Sequence, residues 1–495
     1  MSKEQEINQL LSDLGQMVAW AEWEDENKFP KTFHPVPEHI RAFDPNVILI
    51  IGPRGSGKSE LFRAVIQSNL MPAIQRCLPE ARLPFKELER IKWIAAYPPQ
   101  QRDFPGPLEL TRFILDDTSN IGSPRMEIWF AYLVRSLWDH LMPEDQNAIK
   151  ILKEVDGGDI DKVCNAFITL KNAPQLALDH LDAKLEKEDR YIFVGYDELD
   201  TLGAQDWVAM SRAINGLVAF WAAYTRRWRR VRAKIFLRTD LFQRYAKEGG
   251  PDLAKLAANR VELFWSDKSL YAVLLKRIAN QSEDLWQYVK ATRGIEFVND
   301  QDLGQVPRIN KAEDVKPLIK RMIGEFMGAT GATFKKGYTY RWLLNHIRDG
   351  RGQAFPRPMF RMIALAAEGQ KNSPRKPKLP KLIDHISLRR ALDRVSEEHV
   401  SHSGSEWPWL DQLHESVKGQ QVPLERETLV ERLQEDMFDK KEAPLYVLPA
   451  GNAEDLVDYL VEIGIFRERT GNKIDVPDLF LSGLGLKRKG GVRKK

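Results

Sequence analysis

The stretch NVILIIGPRGSGKS, residues 46–59, constrains the fold of this chain more than any other. Val47 to Ile51 are consecutive apolar residues, mostly β-branched, with no polar alternation. That is the pattern of a strand buried on both faces of a parallel sheet. Gly52-Pro53-Arg54-Gly55-Ser56-Gly57-Lys58-Ser59 then completes a G-x-x-x-x-G-K-S/T motif, and Glu60 to Ile66 reads as the start of a helix. Strand, glycine loop and helix in that order are the context in which this motif grips phosphates. Gly52, Gly55 and Gly57 let backbone N–H groups turn inward around phosphate oxygens. The helix N-terminus adds partial positive charge. Lys58 is expected to reach the β- and γ-phosphates and the Ser59 hydroxyl to hold Mg²⁺. The expected nucleotide-binding run is therefore Gly52, Pro53, Arg54, Gly55, Ser56, Gly57, Lys58, Ser59 and Glu60. A chance glycine loop is the bland alternative, and the flanking elements argue against it.

Hydrolysis needs more than a grip: a carboxylate for the metal and a group to orient water. RYIFVGYDELDTL, residues 190–202, supplies the best match. Tyr191 to Val194 read as a second buried strand, and Asp197-Glu198 follow near its end. Asp197 is assigned to Mg²⁺ and Glu198 to general-base catalysis, with Asp200 a neighbour or helix cap. An acidic turn after a core strand is the plain alternative. Lys234-Ile235-Phe236-Leu237 form a third strand leading into Arg238-Thr239-Asp240. Ligands of open parallel sheets bind at the carboxyl ends of strands, so Arg238 is the first choice as a γ-phosphate sensor. An Asp-capped strand-to-helix turn is its competitor.

A chain of 495 residues is too long for one core and suggests two or three domains. With 74 basic and 70 acidic residues, net charge is only +4 and implies no particular partner. Two cysteines, Cys77 and Cys164, make neither a disulfide scaffold nor a zinc site, and they fit a reduced, cytoplasmic setting. The polar N-terminus lacks a signal-peptide core, and no run of about 18 apolar residues predicts a membrane span.

The patterns divide the chain into an amphipathic helical lead-in (1–40), an alternating strand–helix core (41–265), helices (266–370), a Pro- and Lys-rich linker (371–382) and a C-terminal unit (383–495). KFPKTFHPVPEH, with three prolines, is expected to be extended and to cross the nucleotide site. Ile91 to Ala96 read as a further strand, and MEIWFAYLVRSLWDHL, from residue 126, as an amphipathic helix. Residues 144–188 read as helical and polar, and could be an insertion. At the C-terminus, LVERLQEDMF, AEDLVDYLVEIGIF and KIDVPDLF make helix, helix and strand, as in a winged helix. Trp129, Trp138, Trp221 and Trp265 lie in apolar surroundings and are expected in cores.

Positive charge concentrates twice. TRRWRRVRAK (225–234) places six cations within nine residues near the end of a helix. It reads as a solvated face, a nucleic-acid contact or a reach toward a neighbouring subunit. The tail LKRKGGVRKK carries six cations and no acid, a composition that binds phosphate backbones with marked salt sensitivity.

Taken together, the P-loop, the late DELD-type acidic motif and FLRTDLF resemble bacterial P-loop ATPases of the STAND and AAA-like (additional-strand) group. The similarity is greatest to ATPases encoded in anti-phage defence islands. The combination of FLRTD with VPDLFLSGLGLKRKGG near the end carries the narrower part of it, and LAANRVELFWSDKSLYAVLLKRI (256–278) also resembles the family. The resemblance implies an α/β fold: a P-loop NTPase core with a parallel sheet, a helical lid and a C-terminal winged-helix-like domain. It implies ATP and Mg²⁺ as ligands and Glu198, Lys58 and Arg238 as catalytic groups; a homo-oligomer and a separately encoded effector protein are expected because the chain carries no nuclease, protease or deaminase motif of its own. GQAFPRPMFRMIALAAE resembles a lid motif, with Arg357 toward the nucleotide and Arg361 the alternative. The expected function is an ATP-hydrolysing switch or assembly ATPase controlling an effector, in anti-phage defence. The competing readings are an ATPase that binds DNA or RNA through its C-terminal domain and tail, and a scaffold that holds ATP without turnover.

Overall fold

Strand β1 (Leu49–Gly52) is buried at every position, as its unbroken apolar run requires. The computed structural model describes residues 3–17, 25–79, 90–98, 104–115, 126–202, 207–248, 256–328, 337–375, 377–404, 407–439 and 448–489. The chain divides into two units, one built from residues within Pro35–Phe264 and the other from Met1–His34 together with Trp265–Lys495.

In the first unit β1 is joined by β2 (Ile91–Tyr97), β3 (Tyr191–Tyr196), β4 (Val231–Arg238) and β5 (Val261–Glu262) in the order β2-β3-β4-β1-β5. Every pairing is parallel. All the carboxyl ends therefore open on one edge, where a ligand is held in such sheets. β4 lies between the strand that feeds the glycine loop and the strand that carries Asp197. This is a doubly wound α/β sheet with one strand interposed, the core expected of a P-loop NTPase.

Helix α1 (Lys58–Ile66) follows the loop and lies against the sheet. It comes so close at Gly195 that an added Cβ there would sit 2.7 Å from Ile66 Cδ1 and 2.9 Å from Phe62 Cε2. Between β2 and β3 the chain runs through helices at 126–136, 143–148, 151–154, 160–169 and 173–187. Helix α2 (Trp207–Tyr224) connects β3 to β4. Its Phe220 and Trp221 pack with Trp129, Phe130 and Trp228 in one aromatic core, so Trp129 and Trp221 are core residues as expected. KFPKTFHPVPEH is not extended. It forms two short helices, Phe29–Thr32 and Pro37–Arg41, each with proline in its first two positions. There the missing N–H costs no helical bond.

In the second unit the Lys3–Gly15 helix buries Leu10, Leu11 and Leu14 and packs along α3 (Pro356–Lys371), which packs in turn on α4 (His385–Gly404). Segment 371–382 runs between those two helices. Leu382, at its end, and Ile383 are fully buried, and the amides of both donate to the Met322 carbonyl. The stretch 266–370 is mainly helical but not wholly so. β6 (Glu296–Asp300) and β7 (Gly304–Arg308) form an antiparallel hairpin within it.

The C-terminal portion has a winged-helix topology. After helix α5 (Trp409–Val417) and β8 (Gln421–Val422) come β9 (Leu424–Glu425), α6 (Arg426–Leu433), α7 (Ala453–Glu462), β10 (Arg467–Arg469) and β11 (Lys473–Asp475). The three-stranded antiparallel sheet has the order β10-β11-β9. β12 (Lys487–Arg488) pairs with β8. Among the described residues no helix is long and apolar enough to cross a membrane.

Candidate nucleotide site

The loop between β1 and α1 is shaped by its glycines. Gly55 and Gly57 have φ of +77° and +90°, a region L side chains rarely enter. Gly57 is the residue immediately before α1, so the free N–H groups of the first turn face the loop. At Gly52 the limit is space: a Cβ would lie 2.3 Å from Ser56 Oγ. Pro53 and Arg54 are half-buried in the loop, and Ser56 is buried. Lys58 folds back over it and donates to the carbonyls of Gly52 at 2.8 Å and Pro53 at 3.1 Å. Glu60 sits in the first turn of α1.

The second half of the site arrives from β3. Asp197 is 4% exposed and accepts a hydrogen bond from the Ser59 hydroxyl. Burial pushes its carboxyl up to about 6, against the opposing pull of that bond and of the Lys58 charge. Lys58 is pushed down to about 8 by loss of water contact, the pull of Asp197 being too weak to offset it. One residue on, Glu198 is half-exposed with φ +52° and ψ +32°, a left-handed backbone that costs a non-glycine residue about 1–2 kcal/mol. The turn that imposes it is tied down. The Asp197 amide donates to the Tyr97 carbonyl at 2.8 Å. Tyr97 OH pairs with Thr201 Oγ1 at 2.6 Å, and that hydroxyl donates to the Glu198 carbonyl at 2.8 Å. The sequence offered no sign of this strain, and Tyr97 and Thr201 were not singled out by it.

From β4, Arg238 reaches the same place. It donates to Asp240 through Nε at 3.1 Å and Nη2 at 2.8 Å, and to Asp200 through Nη1 at 3.3 Å. Its side chain is 8% exposed, against 10% for Asp240. Asp200 is thus a partner of Arg238, and Asp240 pairs with it across the start of the following helix. Lys58 feels the charges of Asp197, Arg238, Asp200 and Asp240 together. The glycine loop, Lys58, Ser59, Asp197, Glu198 and Arg238, read separately from the sequence, therefore belong to one locus at the ends of β1, β3 and β4.

These residues fit a magnesium–nucleotide pair. A hydroxyl and a buried carboxylate already face each other, one from each motif, and the loop has backbone geometry only glycine adopts freely. Ser59 and Asp197 would hold Mg²⁺, which neutralises charge on the phosphates when bound.

Two of the expected residues are in the second unit. Arg357, at the second position of α3, belongs to the other unit. Arg361 is held by Glu398 through two bonds of 2.6 and 2.8 Å. The TRRWRRVRAK cluster is largely taken up by the fold. Arg227 pairs with Asp179, Arg230 with Asp189, and Arg232 and Lys234 are buried on backbone carbonyls. That favours the reading without a ligand.

No protein-family model matches the chain, and no curated protein matches it. Among solved structures it is similar to the Aeropyrum pernix ORC2 protein in ADPNP–ADP complexes, with 13% identity and a TM-score of 0.38 over 92% of this chain and 96% of that one. It is also similar to the Aeropyrum pernix ORC1 protein in complex with DNA, with 13% identity and a TM-score of 0.33 over 93% of each chain. Likenesses of this size carry nothing about function. The fold assignment stands on the strand order and the loop geometry.

Proposed function

We propose that this chain is a Mg²⁺-dependent ATPase whose nucleotide state is coupled to nucleic-acid binding. The observation that carries the ATPase reading is the hydrogen bond between Ser59 and Asp197, with Glu198 next in the chain. It unites the phosphate-gripping motif with the acidic motif at one end of the sheet. In this reading Lys58 and the loop amides hold the β- and γ-phosphates, and Glu198 accepts a proton from the attacking water. Arg238 stabilises charge gathering on the γ-phosphate. The scaffold reading, ATP held without turnover, leaves Glu198 and its strained backbone without a purpose.

The nucleic-acid part is supported by the cations of the winged-helix strands, Arg467, Arg469, Lys473 and Arg488, and by the basic sequence after Leu486. The anti-phage role comes from the sequence resemblance alone, and a separate effector and a homo-oligomer belong to the competing reading of the chain as a switch. The test is steady-state phosphate release by the full chain with and without duplex DNA. A rate that rises with DNA and loses that rise at high salt supports the reading. A rate indifferent to DNA favours a switch acting on protein.

A further inference from the structure

The winged helix separates its charges onto two faces. Helix α7, the second of the pair α6–α7, is the position that enters the major groove in helix-turn-helix proteins. Here it carries Glu454, Asp455, Asp458 and Glu462 and no cation, and the first three are exposed. Arg426 offsets part of that charge by pairing with Glu454, Asp458 and Glu468. Three exposed carboxylates turned to a groove walled by phosphates are repulsive.

The sheet's other face has the opposite sign. Side chains alternate along a strand, so in β10 Glu468 points one way with Ile474, its register partner, while Arg467 and Arg469 point the other way with Asp475 and Lys473. Asp475 is 1% exposed and accepts from Arg467 at 2.7 Å, from Arg469 at 2.8 and 3.0 Å, and from Arg488 of β12. Three guanidiniums meet Asp475, and Arg488 also bonds Asp478, so three cations face two carboxylates and positive charge remains. Lys473 lies on the same face, paired with Glu425 at 2.8 Å, the exposed Lys487 and Lys489 flank Arg488 in the chain and add positive charge, and the sequence continues with Arg493, Lys494 and Lys495.

We propose that duplex DNA docks on this basic face of the wing sheet, through its phosphates, and that α7 does not enter the groove. The proposal rests on the nucleic-acid reading above and assigns that contact to β10, β11 and β12. Recognition would be of the backbone and insensitive to sequence.

The experiment is fluorescence anisotropy of the full chain with a short fluorescein-labelled duplex over increasing NaCl, with melting curves to confirm folding. Lys473→Ala/Lys487→Ala/Lys489→Ala leaves the three arginines on Asp475 and should weaken binding about tenfold or more at low salt. It should also make the log–log salt slope shallower by about two to three, close to one per lost phosphate contact. Glu454→Gln/Asp455→Asn should bind as well as the wild type or better. Binding unchanged in the lysine variant, or lost in the α7 variant, overturns the docking face while leaving the nucleic-acid reading intact. No binding by the wild type even at low salt overturns both, and leaves ATP hydrolysis to be judged by itself.

Discussion

The Ser59 hydroxyl donates to the Asp197 carboxylate, joining the first residue after the P-loop lysine to the residue that follows β3. Asp197 is nearly solvent-free and its carboxyl is raised to about 6 from 3.8 by burial, so in the metal-free protein it is a liability. Its protonated form is the one the fold prefers. The native state binds more protons than the unfolded state between pH 3.8 and 6, so the contribution is present below the unfolded pKa and lost as pH rises through 6. Metal-free Asp197→Asn should therefore be more stable than the wild type near neutral pH, by on the order of 2–3 kcal/mol. That advantage should vanish near pH 4. The same variant, and Ser59→Ala, should lose about tenfold or more of Mg²⁺-dependent nucleotide affinity. Calorimetric unfolding at two pH values and nucleotide titrations with and without Mg²⁺ check both.

Arg238 and Asp240 form an ion pair whose members are both about nine-tenths buried. Removing one partner of such a pair strands the other charge and costs about 3–5 kcal/mol. Arg238→Ala and Asp240→Ala should each be destabilising by that order. The double variant should lose much less than the sum, a coupling readable from a denaturant double-mutant cycle. Arg238→Ala should in addition depress turnover at saturating ATP, because the guanidinium is assigned to the γ-phosphate. If Asp240→Ala and Arg238→Ala depress turnover equally, Arg238 acts by holding the turn together.

Gly195 lies mid-strand where Phe62 and Ile66 of α1 press on the sheet. Gly195→Ala must displace α1, which positions Lys58 and Ser59 at its first turn. A loss of stability of about 1–3 kcal/mol is expected, accompanied by weaker nucleotide binding. Urea unfolding and nucleotide titration of this one variant should move together.

What was legible in the sequence was local. The P-loop is contiguous, its strand and helix flank it, and Asp197-Glu198 follow an apolar run, so each could be read from a short window. The parallel sheet followed from strands without polar alternation. The winged helix was legible because α6, α7 and β11 keep their own periodicities. Long-range choices were not legible. Nothing around Arg238 shows that Asp200, from the preceding strand's turn, would be one of its acceptors. The left-handed backbone of Glu198 is set by Tyr97 and Thr201, one of them about a hundred residues away. Arg232 and Lys234 looked like part of a surface charge run, yet their long stems let them lie buried with their nitrogens on carbonyls. The prolines of residues 30–37 suggested an extended segment because proline breaks helices from within, whereas here Pro30 and Pro37 open helices.

The most direct test concerns Glu198. Glu198→Gln keeps shape and hydrogen-bonding reach but cannot take a proton, and Glu198→Asn adds a side chain that tolerates the left-handed backbone. Phosphate release from Mg·ATP should fall about a hundredfold or more in both, while a fluorescent ATP analogue binds as it does to the wild type and Glu198→Asn unfolds no earlier. Hydrolysis by Glu198→Gln at the wild-type rate, with nucleotide binding intact, would contradict the account at its centre.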